Sequence, residues 1–145
     1  MNQYEDKKIS FSYPGDFKLT RAKQKWGQYG LEKKIGKNKT ILMMIDLVTE
    51  ETYHTIKRII RECPFDKYAV GEIYESVGFG GMKGIGHVVT VYDKKQKFYE
   101  KIYRYIFPTS GGGINIEISS YQEFTIDLYM DFLGSIKVKD SSSTI

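Results

Sequence analysis

Cysteine occurs once in the 145 residues, at Cys63, so no internal disulfide can form. That suits a reducing compartment, a property shared by exported domains that carry no disulfides. Proline occurs three times, and no run of about 18 apolar residues exists, so no transmembrane helix is expected. The opening MNQYEDKKIS has no apolar core of the kind a signal peptide needs. The expectation is a cytoplasmic chain if the sequence is complete, and a cell-envelope or periplasmic one if a lipoprotein leader has been removed. Charge of one sign is not in excess. The 22 basic and 18 acidic residues give a net charge of +4, a solubility charge rather than a nucleic-acid footprint. There are two histidines, His54 and His87, neither with a second ligand at metal spacing.

What is present is apolar and aromatic. Hydrophobic residues make up 41% and aromatics 14%, which excludes intrinsic disorder. A flexible N-terminus over 1–7, a single domain over 8–139 and a flexible tail over 140–145 are expected. Extended segments are predicted over 9–12, 17–19 and 26–31, with Pro14-Gly15-Asp16 as a turn. Segment 40–48, TILMMIDLV, is apolar at both alternating sets of positions, which predicts a central strand covered on both faces. Strands over 71–78, 86–92, 98–107 and 114–119 follow, joined by FGGMKG, DKKQK and PTSGGG, as an antiparallel meander. Ile114, Ile116 and Ile118 face the core of the last strand, Asn115 and Glu117 its other side. A short strand over 135–138 ends the chain.

Two helices are predicted. The first runs over 50–63, from an N-cap at Thr49 to a stop at Pro64, with Tyr53, Ile56, Ile59, Ile60 and Cys63 as its apolar stripe. The second opens on a Ser120–Glu123 capping box, runs to Leu133 and ends at Gly134. Its apolar residues span roughly 240° of the helical wheel, far more than the ~100° a surface helix needs. Glu123, Asp127 and Asp131 form the narrow acidic stripe that remains. Such a helix either lies in a deep groove or offers Tyr121, Tyr129 and Met130 to a partner.

The chemistry-bearing patterns are sparse. The glycines of GFGGMKGIG precede a strand, so no helix N-terminus is available for a phosphate, and the segment reads as a bulged or looped strand connection. Cys63 sits at a helix C-terminus, where the dipole disfavours a thiolate. Between Phe17 and Lys39, eight bases face one acid with Trp26 and Tyr29 interleaved, a pattern of lysine-guarded edge strands or, as the alternative, of a segment that tracks a phosphate backbone or anionic surface. No catalytic, cofactor-binding or metal-ligating residue is expected, and no cofactor.

The opening ISFSYPGDFKLT, the central GGMKGIGHVVTVY, the hairpin FYEKIYRYIF and the C-terminal Tyr129, Phe132 and Ser135-Ile136 resemble the PsbP-like superfamily across residues 8–139. That group includes photosystem II extrinsic proteins, a Ran-binding import factor and bacterial lipoproteins. The resemblance implies an α+β fold, an α/β/α sandwich around a central antiparallel sheet with two main helices. It also implies binding to other proteins rather than catalysis, with no member's site residues transferable.

The leading expectation is a non-enzymatic protein-binding or accessory domain whose partner surface comprises Tyr121, Tyr129, Met130, Glu123, Asp127 and Asp131. A small-molecule or lipid-binding module, with its cavity between sheet and C-terminal helix, is the alternative. A protein partner is expected, nucleic acid is not, and a homo-oligomer stays open.

Overall fold

Alternating apolar residues in the middle of the chain pair into one large antiparallel sheet, and everything else packs on its two faces. The computed structural model describes residues 1–21, 29–37, 39–62, 69–93, 98–121 and 130–139. Its elements in chain order are β1 (Asn2–Glu5), β2 (Ile9–Tyr13), β3 (Lys18–Arg21), β4 (Tyr29–Gly36), β5 (Lys39–Val48), α1 (Glu50–Glu62), β6 (Ala69–Phe79), β7 (Met82–Asp93), β8 (Phe98–Thr109), β9 (Gly112–Tyr121), α2 (Met130–Ser135) and β10 (Lys137–Val138). Seven strands form the large sheet in the order β3-β4-β5-β9-β8-β7-β6, and three form a small one, β1-β2-β10. The predicted meander is therefore the β6-to-β9 half of the sheet, and the fold is α+β.

The first face carries Ile41, Met43 and Ile45 of β5, Ile114, Ile116 and Ile118 of β9, and Tyr103, Tyr105 and Phe107 of β8. Against them lie Ile9 and Phe11 of β2, Phe17, Phe132 and Leu133 of α2, and Ile136, all buried in one cluster. On the second face α1 sets Tyr53, Ile60 and the half-buried Ile56 on Ile85, Ile106 and Val48. Thr49 caps α1 as expected, its Oγ1 accepting from the Thr52 amide at 3.2 Å. Glu50 and Glu51 in the first turn and Arg61 in the last suit the helix dipole.

Four expectations need correction. A strand stands within the N-terminal 1–7, where none was expected: β1 pairs with β2 from Asn2↔Tyr13 to Glu5↔Ser10. Ser120 does not cap a helix; β9 continues through Ser120 and Tyr121, opposite Lys101 and Glu100 of β8, so those backbone groups serve the strand ladder. Residues 122–129 of the predicted helix, like Cys63, Pro64, most of DKKQK and the tail 140–145, lie outside the described residues. Ile59 is 42% exposed because the sheet meets α1 only along the 53–56–60 line. Finally, β5 is buried through Ile41, Met43 and Ile45, whereas Leu42, Met44 and Val48 are half-buried, since α1 packs over β7, β8 and β9.

Two local devices hold the layers in place. In the turn after β1, Asp6 gathers four donors: the Lys8 and Ile9 amides at 2.7 and 2.9 Å, and the Tyr4 and Tyr29 hydroxyls at 2.9 and 2.7 Å. Burial works to raise its pKa, but these hydrogen bonds, Tyr29 foremost, bring it down to about 2. Because Tyr29 belongs to β4, this carboxylate ties the small sheet to the large one. The second device is a pair of strand glycines. A Cβ on Gly86 would run into the Tyr105 ring, and one on Gly84 into Phe107 and the Ile106 carbonyl. The absent side chains let the two rings lie across β7, where Phe79 meets them edge-on at 5.1 and 5.8 Å.

Two outcomes follow. Gly86→Val is expected to cost about 1–3 kcal/mol in urea unfolding, through overpacking against Tyr105. Asp6→Ala is expected to cost about 2 kcal/mol at neutral pH. The wild-type advantage should persist above the ordinary Asp pKa and disappear as the pH falls toward 2, because a depressed carboxylate stabilises only while ionised.

Candidate functional site

Of the six residues expected to form a partner surface, the structure describes the side chains of two. Met130, 41% exposed, and Asp131, also exposed, stand at the start of α2. Tyr121 ends β9 rather than entering a helix. Glu123, Asp127 and Tyr129 lie outside the described residues. The inward side of α2 is filled by Phe132 and Leu133, neither with any exposed surface, and Phe132 meets Phe11 edge-on at 5.9 Å. Ser135 closes the helix: its Oγ lies 2.6 Å from the Phe132 carbonyl and accepts from the Ser12 amide at 2.9 Å, which extends the contact with β2 beyond β10.

A polar row invisible to motif searching crosses the α1 face of the sheet. Register sets Ile73, His87, Arg104, Glu117 and Met44 side by side on β6, β7, β8, β9 and β5. Arg104 donates through Nη2 to Glu117 Oε1 at 3.1 Å and lies with Nη1 3.2 Å from His87 Nε2. A guanidinium can only donate, so Nε2 is the acceptor and the imidazole proton sits on Nδ1. His87 is buried, and burial first, then the Arg104 charge, hold its pKa down to about 4. One step along β9, the buried Asn115 Oδ1 has no hydrogen-bond partner among the described residues. The sequence places His87 seventeen residues from Arg104, a separation that only hairpin register brings together.

The row ends at β6, the last strand of the large sheet. β6 is eleven residues long and pairs with β7 from Ala69↔Val91 to Phe79↔Met82, with a register shift between Tyr74 and Val77. Among the described residues no strand pairs with its outer edge. Residues 72–76 are all exposed, Ile73 and Tyr74 each at 37%. Strand alternation turns Ile73 to the α1 face and Tyr74 to the other, where its hydroxyl donates to Glu72 Oε2 at 3.0 Å. Burial, then the Glu72 hydrogen bond, push the Tyr74 pKa up. Edges are commonly guarded by lysine or proline, and β6 has neither. The opposite edge, β3, is four residues long and carries Lys18 and Arg21.

An open cleft of about 510 Å³ lies along β10, against the Gly80-Gly81 turn and the 108–110 segment. Its rim includes Lys137 and Lys139, the latter bonded to Glu5 at 3.0 Å.

No family model matches the chain. No curated protein matches it either. Solved structures share the fold, among them the following two. One is a crystal structure from Bacteroides thetaiotaomicron, with a TM-score of 0.62 and 9% identity, covering 92% of this chain and 46% of that one. This chain thus spans about half of that protein. The other is LpqN, involved in cell envelope biogenesis of Mycobacterium tuberculosis, with a TM-score of 0.59 and 8% identity, covering 91% of this chain and 83% of that one. At such identities the likeness is one of fold.

The buried imidazole makes a pH prediction. The folded state keeps His87 neutral down to about pH 4, while the unfolded chain takes up a proton near pH 6.5. Stability is therefore full above pH 6.5 and falls toward pH 4, by about 3 kcal/mol at about 1.4 kcal/mol per unit. His87→Gln should flatten that slope in urea unfolding across pH 4–7. An unchanged slope would assign the titration elsewhere.

Proposed function

We propose that the chain is a non-enzymatic, protein-binding accessory domain of PsbP-like type, and that β6 is its docking edge. One observation carries this: an eleven-residue edge strand without lysine or proline, unpaired on its outer side among the described residues, with Ile73 and Tyr74 exposed beside it. Free backbone donors and acceptors next to apolar side chains are what an added strand uses, the ladder for affinity and alternate side chains for selectivity. A polypeptide matches that repeat of about 3.3 Å per residue. The fold likeness to LpqN, whose description concerns cell envelope biogenesis, directs the first search for a partner to envelope proteins.

Affinity capture from the source cell tests the proposal, with wild type, Ile73→Lys/Tyr74→Lys and Met130→Asp as baits. Lysines at the edge should abolish capture of a specific protein, with the circular dichroism spectrum and melting temperature retained. Met130→Asp should leave that capture intact. Capture unchanged by the double substitution, or lost only in Met130→Asp, would overturn β6 as the docking edge and return the surface to α2.

A further inference from the structure

We infer that the occupant of β6 is an extended basic segment of another protein, added as an eighth strand; this rests on β6 being the docking edge. The charge along the strand argues for it. AVGEIYESVGF holds Glu72 and Glu75, both exposed, and no Lys or Arg. Glu72 is positioned rather than free to swing, because Tyr74 donates to it at 3.0 Å along the same side of the sheet. The cation opposite β6 in the neighbouring strand is Lys83, across from Gly78 and beyond the register shift, away from the Ala69–Tyr74 stretch. An incoming strand therefore meets an acidic edge over the six residues of unbroken ladder.

The pleat specifies the pattern of that strand. Side chains falling beside Glu72 and Tyr74 gain from being Lys or Arg: a cation can pair with the carboxylate and lie over the phenol ring. Side chains falling on the other face, beside Ile73, gain from being apolar. The partner motif is then an alternation of basic and apolar residues about six long, without proline. A second copy offering its own β6 fits poorly, since it would bring Glu72 and Glu75 of both copies to one seam with no Lys or Arg among them. A second copy offering its β3, with Lys18 and Arg21, has the right charge but only four residues.

Selection from a displayed library of random octapeptides tests this, on the wild-type domain with depletion on Ile73→Lys/Tyr74→Lys. The expected winners carry Lys or Arg at alternate positions and slow amide hydrogen exchange over 69–79. They should bind about tenfold more tightly than their Glu-substituted twins, with the preference reversed by Glu72→Lys/Glu75→Lys. Neutral or acidic winners that protect 69–79 would overturn the basic occupant and leave the docking edge standing. Winners that protect other segments, or none that protect 69–79, would overturn the inference, and the capture experiment judges the edge independently. Concentration-dependent self-association in sedimentation, abolished by Ile73→Lys/Tyr74→Lys, would give the edge to a second copy and also overturn it.

Discussion

A sheet with two apolar faces must have both of them covered, and the rest of this molecule follows from that constraint. The inward residues of β5, β8 and β9 put a continuous band of isoleucine, tyrosine and phenylalanine on one face. Only a second layer can remove that band from water, and the small sheet with α2 is that layer. α1 covers the other face over β7 to β9 and Val48 at the end of β5. On that same face the row from Glu117 to His87 is polar, and Arg104 bonds to both of the others.

Burial acts on two ionisable groups here with opposite outcomes, and the neighbours explain the difference. Asp6 keeps its charge because donors from both sheets converge on it, more than offsetting desolvation. His87 gives up its charge because the group beside it is a guanidinium, which adds repulsion to desolvation. The first group joins two layers through a charge. The second is a neutral acceptor that holds Arg104 toward Glu117.

Local signals were legible where local geometry decides the outcome. Thr49 reads as a cap and is one. Gly80 and Gly81 read as a strand connection and adopt the positive φ values, 55° and 87°, that a two-residue hairpin turn demands. The isoleucines at 114, 116 and 118 read as one buried face and form it. Ser120 misled because serine three residues before glutamate is a helix-start pattern in isolation, whereas the β8 backbone claims the same groups for a ladder. His87 was passed over because its neighbours come from other strands. A histidine inside an alternating strand was the available signal, and its value depends on what stands across from it.

The sequence by itself determined the periodicities: which residues alternate, where turns and caps fall, and that no disulfide can staple the chain. Those properties depend on contacts within a few residues, where chain geometry is nearly invariant. Tertiary structure decided the register and the order of strands. It therefore decided that Arg104 stands between His87 and Glu117, that Asp6 reaches Tyr29, and that β6 is an edge strand among the described residues. A slip of one residue would send every side chain to the opposite face, and only packing of both faces at once selects among the alternatives.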